Sequence, residues 1–416
     1  MIRFKIAWQR VKENRTLIEL ILLFLCIFGA ANWILRNKRL GFVLLAQVHR
    51  SSHNRTLRAA VEARIRAYIP DSRERPVTLT LSEFKHFFST RIMVLKAPVS
   101  SAEKGVLHVK FSELIQELPC FFDMNRLLND YILVLEPSWT GYCDAGILQY
   151  RRFNDDVFVL SPEIHDFQFL TSLNSNLIPV YLGPCDWVDP RISHEFIGCE
   201  KRFDIVMNAH WGESKRHYLL FATLAQLPKD IRVALIGVPW RGRTSTDILR
   251  LATYYGVRDQ LTIFERLPYT EVMQICCQSK CGILLSLKEG GNKALAEMIF
   301  CDIPVILLEH HVGGIRKNIV PETGLIVRQA ELFSSILELI DGSRSFSPRK
   351  WAMESISCFV SRRKLNDVIM ERAISTGAPW STDIVCRSNS PESRYCDDND
   401  YRFFSRYNDG LATYLR

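Results

Sequence analysis

The 416 residues are enough for two domains of ordinary size, each with its own core. The net charge of +8 comes almost entirely from the first fifty residues, which hold nine Lys/Arg and two Asp/Glu and leave 44 against 43 in the rest. A near-neutral body has no clustered basic face, which argues against nucleic acid as a partner.

The first element is "LIELILLFLCIFGAANWIL", Leu17 to Leu35, set between the basic flanks of residues 1–50. At about 1.5 Å per residue it approaches the thickness of a bilayer's hydrocarbon and predicts a single-pass membrane helix over 17–35. No small-residue cleavage site follows it and Arg36-Asn37-Lys38-Arg39 does, so an uncleaved anchor is expected rather than a removed signal peptide. Bases on both sides leave the orientation open, and with it a cytosolic or a Golgi-lumenal body. Leu40 to Val48 is too short to cross again and reads as interfacial. Asn54-Arg55-Thr56 is an N-glycosylation sequon, meaningful only in a secretory lumen. Thr56 to Ile69 has helical spacing and predicts an amphipathic stem within 51–90.

From Arg91 the pattern changes to short apolar runs: 91–98, 105–111, 131–137, 156–162 and 176–182. Continuous apolarity predicts strands covered on both faces, hence a parallel sheet in an α/β domain over 91–183. Residues 184–200 carry two prolines and no period, and read as a linker. A second alternation fills 201–342, with strands at 202–209, 231–237, 261–267, 281–287, 303–308 and 324–327 and helices between most of them. The expectation is α/β with two doubly wound, Rossmann-like domains facing a cleft, behind an N-terminal membrane helix. A helical segment is expected over 343–376 and a polar tail without regular structure over 377–416. Most of the cysteines sit in apolar runs and lack zinc spacing; Cys386 and Cys396, in the tail, are candidates for pairing in an oxidising compartment.

Chemistry concentrates in "SLKEGGNKALAEM", Ser286 to Met298, between two apolar runs. A helix starting near Asn292 offers unpaired N–H groups and partial positive charge to an anion. Gly290 and Gly291 lack a Cβ and admit a ligand to the backbone, while Lys293 in the first turn adds a charge beside a phosphate. Glu289 and Glu297 lie about two turns apart, so they cannot share one spot. Glu297 suits a ribose diol, and Glu289 whatever the phosphate carries.

"LLSLKEGGNKALAEMIFCDIPVIL" resembles the signature of retaining glycosyltransferases of the GT-B fold, in particular the large family four group. The resemblance continues in register from Phe203 to about Leu339, through "ALIG" (234–237), "GVRDQLTIFERLPYTEV" (256–272) and "PETGLIV" (321–327). It implies that Glu297 holds the nucleotide ribose and Glu289 lies by the transferred sugar. Gly290, Gly291 and Asn292 then supply backbone N–H groups, with Leu267 and Lys293 also at the donor. Lys215 matches the family's lysine that neutralises the departing diphosphate. Where the family has arginine this chain has His210, with Arg216 as the substitute for the missing charge. In the N-terminal half the resemblance is one of layout: Trp139 and Tyr142 are expected to stack on an acceptor, and His165 to meet the donor sugar.

The implied activity is transfer from a nucleotide-sugar co-substrate to a glycan, lipid-linked or other acceptor at a membrane, with retention of configuration. No cofactor or metal is implied, because no Asp-x-Asp pair stands at a strand end. A nucleotide-sugar epimerase and a catalytically inactive binding scaffold of the same fold are the alternatives.

Overall fold

The computed structural model describes residues 11, 13–35, 37–52, 54–69, 81–88, 90–138 and 144–416. The chain divides into two compact units: Ala7–Gly183 with Arg362–Arg387 and Glu392–Arg416, and Pro184–Ser361 with Ser388–Pro391.

In the first unit β1 (Ile92–Lys96), β2 (Gly105–Lys110), β3 (Tyr131–Glu136), β4 (Val157–Leu160) and β5 (Leu177–Val180) form a five-stranded sheet in chain order. The first pair is antiparallel and the others are parallel. β1, β2 and β4 are buried along their whole length, which is why they read as continuous apolar runs. The strands follow one another across the sheet without a reversal, so the doubly wound expectation is corrected for this unit. The connection over 97–104 is too short for a helical crossover, which leaves β1 antiparallel at an edge instead of parallel at the centre.

Helix Arg15–Ile34 lies against helix Lys38–Ser51. A Cβ on Gly41 would stand 2.9 Å from the Gly29 carbonyl oxygen, so its absence lets the two backbones touch. The 40–48 stretch, expected at a membrane interface, therefore packs back on the first helix and buries Phe42, Leu45, Ala46 and Val48. Leu20, Leu23, Phe24, Ile27 and Phe28 of the first helix stay exposed. The 56–69 pattern is a helix, Arg55–Ala67, capped by Asn54, whose side chain accepts the Leu57 N–H at 3.1 Å.

The tail differs from its sequence reading, because it is folded. Helix Asp398–Gly410 lies along β1, with the Val94 N–H donating to Asn408 at 2.9 Å and the Tyr395 hydroxyl to the Val94 carbonyl at 2.8 Å. Its apolar anchors, Tyr395, Phe404 and Leu411, are too widely spaced to make a local period; tertiary contact orders it. Cys386 and Cys396 are neighbours, the Cys396 N–H donating to the Cys386 carbonyl at 3.0 Å.

In the second unit β6 (Phe203–Asn208), β7 (Val233–Gly237), β8 (Leu261–Glu265), β9 (Ser279–Leu284), β10 (Val305–Leu308) and β11 (Gly324–Val327) make a parallel sheet in the order β11-β10-β9-β6-β7-β8. This order reverses beside β6, so this sheet is doubly wound. One face packs on Leu220, Phe221, Ile248 and Ile336, the other on Met273, Ile299, Phe300 and Ile315. Residues 184–200, read as a linker, belong to this unit. They fold as short turns, Pro184–Asp186 and Pro190–Phe196, with Cys185, Asp186 and Trp187 fully buried.

Candidate active site

Open α/β sheets hold ligands beyond the carboxyl ends of their strands, where the winding reverses. In the second unit that place lies between β6 and β9, and a loop leaves each strand there.

The loop after β6 is fixed by Trp211. Its indole is fully buried, donating to Glu265 at 2.7 Å, while its backbone N–H donates to the Val238 carbonyl at 3.0 Å. A Cβ on Gly237 would lie 2.7 Å from that ring, so glycine is required beneath it. The chain then turns through Glu213–Lys215, and Arg216 adopts the left-handed conformation at φ 58°. The buried Lys215 ammonium is thereby brought onto the Glu289 carboxylate, with which it forms an ion pair.

His210, which stands where the second cation is missing, and Arg216, expected as its substitute, are both engaged within the protein. The His210 ring stacks on Trp240, centroids 4.6 Å apart, and its Nδ1 accepts the Gly212 N–H at 3.0 Å. Burial and then the Lys215 charge hold its pKa below that of an ordinary histidine, so it is neutral at neutral pH. Arg216 is buried and donates to the Leu285 carbonyl, the Tyr218 hydroxyl and Gln329 at 3.2, 3.3 and 3.2 Å. Its guanidinium ties β9 to the chain after β11.

The loop after β9 is laced to the segment after β10. Glu289 N–H donates to the Val312 carbonyl at 3.0 Å, Val312 N–H to the Leu287 carbonyl at 2.8 Å and Gly314 N–H to the Gly290 carbonyl at 2.7 Å. The His311 Nδ1 lies 2.8 Å from the Ser286 carbonyl. A carbonyl only accepts, so that nitrogen carries the proton. Gly291 admits no free space for a ligand on its Cβ side: a Cβ there would stand 2.9 Å from the Pro184 ring. Its smallness accommodates the chain's own Pro184–Asp186 turn.

Helix Lys293–Phe300 starts beyond this loop, with Asn292 as its cap accepting the Leu295 N–H at 2.8 Å. Its first turn keeps the partial positive charge that favours an anion. Lys293, expected beside a phosphate, instead donates to the Asn389 and Pro391 carbonyls at 2.9 and 2.6 Å. Glu297 is buried, and a single oxygen of its carboxylate accepts from the Tyr269 hydroxyl at 2.9 Å and from the Ser390 hydroxyl at 3.0 Å. The two glutamates thus have separate partners, as their spacing requires.

Leu267 follows β8 half-buried and packs on the core that includes Phe203 and Met273. His165 belongs to the first unit, exposed in the first turn of helix Ile164–Ser172, where its N–H donates to Glu163 at 2.9 Å. Trp139 and Tyr142 lie outside the described residues. Sequence reasoning did not single out Tyr269, His311 or Ser390. Tyr269 sits in the quoted 256–272 stretch at the head of a helix, a legible place; Ser390 comes from the tail, where nothing local marks it.

Residues 193–343 match the family model of the group 1 glycosyl transferases. No curated protein matches the chain. Among solved structures it is similar to Anabaena HepE in complex with UDP, at 13% identity over 60% of this chain and 74% of that one with a TM-score of 0.49. It is also similar to the sucrose-phosphate synthase of Thermosynechococcus elongatus, at 16% identity over 65% and 74% with a TM-score of 0.47. A further likeness is to a UDP-forming α,α-trehalose-phosphate synthase from Burkholderia xenovorans, at 11% identity over 80% and 83% with a TM-score of 0.49.

Proposed function

We propose, from the match of residues 193–343 to the family model of the group 1 glycosyl transferases, that this chain transfers a sugar from a nucleotide-sugar donor to an acceptor, with retention at the anomeric carbon. The observation that carries the reading is the Lys215–Glu289 ion pair, seated where the winding of the second sheet reverses and inside the matched segment.

Breaking the sugar–phosphate bond sends its electron pair to the diphosphate and leaves positive character at the anomeric carbon. In this reading Lys215 and the start of helix Lys293–Phe300 stabilise the first charge. Glu289 orients the sugar and eases the second. The acceptor hydroxyl forms the new bond and gives its proton to the leaving diphosphate. The cationic work falls to Lys215 and backbone dipoles, so the reaction is proposed to need no metal and to survive a chelator. We also propose that helix Arg15–Ile34 anchors the enzyme in a membrane, which makes a membrane-borne glycan or lipid-linked acceptor the favoured class.

The neutral His210 and the committed Arg216 favour a second reading, a scaffold that binds nucleotide-sugars without turnover. Assay of the detergent-solubilised chain against a panel of nucleotide-sugars separates the two. Transfer or donor hydrolysis that disappears in both Lys215→Ala and Glu289→Ala, with product configuration read by NMR, supports the enzyme. Tight donor binding without turnover on any acceptor overturns it.

A further inference from the structure

The family-matched segment ends at residue 343, yet Glu297 is completed by a residue far beyond it. Ser388–Pro391 belong to the second unit and are held there along their length. The Asn389 N–H donates to the Trp187 carbonyl at 2.9 Å and its side-chain amide to the Pro184 carbonyl at 3.0 Å. Lys293 binds the carbonyls of Asn389 and Pro391, and the Ser390 hydroxyl reaches Glu297. Ser388 and Ser390 are 0% exposed and Asn389 3%, which makes the segment a fixed part of the wall and not a flap.

We propose that Ser390, together with Tyr269, is a positioning residue for the donor: it fixes Glu297 so that the ribose diol of a nucleoside diphosphate is recognised. Both hydroxyls donate to the same oxygen, Oε1. A carboxylate has about four acceptor sites over two oxygens, so holding Oε1 from two sides leaves Oε2 to accept from a ligand and sets the plane in which it does so. Two donors from different elements also stop the rotation that one donor alone permits. Lys293 acts at one remove, clamping the segment that carries Ser390. The C-terminal segment therefore builds part of the ribose subsite. This inference rests on the donor-site reading above.

The test is calorimetric titration of the full chain in detergent with UDP, GDP and ADP, then with the 2′-deoxy form of whichever binds. In the wild type the ribonucleotide is expected to bind about tenfold more tightly than its deoxy form, the worth of a hydrogen bond to a charged group. Ser390→Ala is expected to weaken the ribonucleotide by about fivefold to tenfold and to leave the deoxy form within about twofold, so that discrimination collapses. Ser390→Thr, which keeps the hydroxyl, is expected to restore it. Tyr269→Phe removes the other donor from a different element and carries the test if the buried serine cannot be changed without unfolding. Equal weakening of both ligands in the serine and tyrosine variants, or discrimination unchanged in both, overturns this inference alone. Failure of the wild type to bind any of the three diphosphates overturns the donor-site reading, and this inference with it.

Discussion

The Lys215 ammonium is paired with the Glu289 carboxylate across the two loops that leave β6 and β9. Each is mostly buried, so each would be costly alone. In the proposed reaction a diphosphate at the head of helix Lys293–Phe300 competes with Glu289 for the lysine. Lys215→Ala is therefore expected to weaken nucleoside diphosphate binding and to cut turnover by about a hundredfold or more, the usual cost of removing a preorganised charge from a developing anion. Binding and single-turnover measurements on the same preparation check both halves.

Glu289→Gln should separate binding from chemistry. The neutral amide frees Lys215 and removes a negative charge near the phosphates. Nucleoside diphosphate is expected to bind about threefold to tenfold more tightly, and transfer to fall by at least about a hundredfold, because the group proposed to face the sugar is no longer charged. Looser diphosphate binding in this variant would mean that Glu289 does not compete for Lys215.

How much of this was legible follows from where each signal sits. The placement of Glu289 after a strand and of Glu297 on the helix capped by Asn292 was readable because a strand end, a glycine turn and a helix cap are local features. The strands of both units were readable for the same reason. The winding of the first sheet was not, since it depends on whether a short connection can host a crossover, not on the strands themselves. Lys293 misled because its charge suggests a phosphate, and only the fold reveals that carbonyls of Asn389 and Pro391, nearly a hundred residues away, already hold it. Ser390 carries no periodic or motif signal at all.

Lys293 offers a test that distinguishes a clamp from a phosphate ligand. A phosphate contact would make diphosphate binding less salt-dependent when removed. Because two of its three N–H groups point to the Asn389 and Pro391 carbonyls, Lys293→Met is expected to lower affinity by loosening that segment, with a smaller change in the slope of log Kd against log salt than Lys215→Met gives. Lys215→Met is expected to flatten that slope. Titrations at several salt concentrations compare the two directly.

Acid stability should fall in two stages. Burial, then neighbouring cations, press His217 to about 3, and burial, then Arg387, press His108 to about 4. The unfolded chain binds these protons near pH 6.5 and the folded chain does not. Stability is therefore complete above pH 6.5 and is lost as pH falls toward 4 for His108 and toward 3 for His217, by up to about 1.4 kcal/mol per pH unit for each histidine. Glu103 supplies the second stage: burial opposes its ionisation, but Lys96 and Ser381 hold it at about 2. Its contribution is present above the ordinary carboxylate pKa and is lost as pH falls from about 4.5 toward 2. Thermal melts across pH 7.5 to 3 are expected to show His217→Phe flattening the loss between about pH 6.5 and 4.5, where Glu103 does not yet titrate.

Membrane anchoring makes the final prediction. A helix that packs through Gly29 on one side would, in a soluble protein, turn polar residues outward on the other. Helix Arg15–Ile34 instead exposes Leu20, Leu23, Phe24, Ile27 and Phe28, a continuous apolar face that needs lipid or a partner. The full chain is expected to sediment with membranes and to resist alkaline extraction. Phe24→Arg with Ile27→Arg places two charges on that face at a cost of about 2.5 to 3.5 kcal/mol each in a bilayer, and is expected to release the chain into the soluble fraction. Because these side chains lie away from the contact with Lys38–Ser51, the released variant should still melt cooperatively and bind nucleoside diphosphate as before. A variant that stays membrane-bound, or a wild-type chain that is soluble without detergent, would assign the exposed face to a protein partner instead.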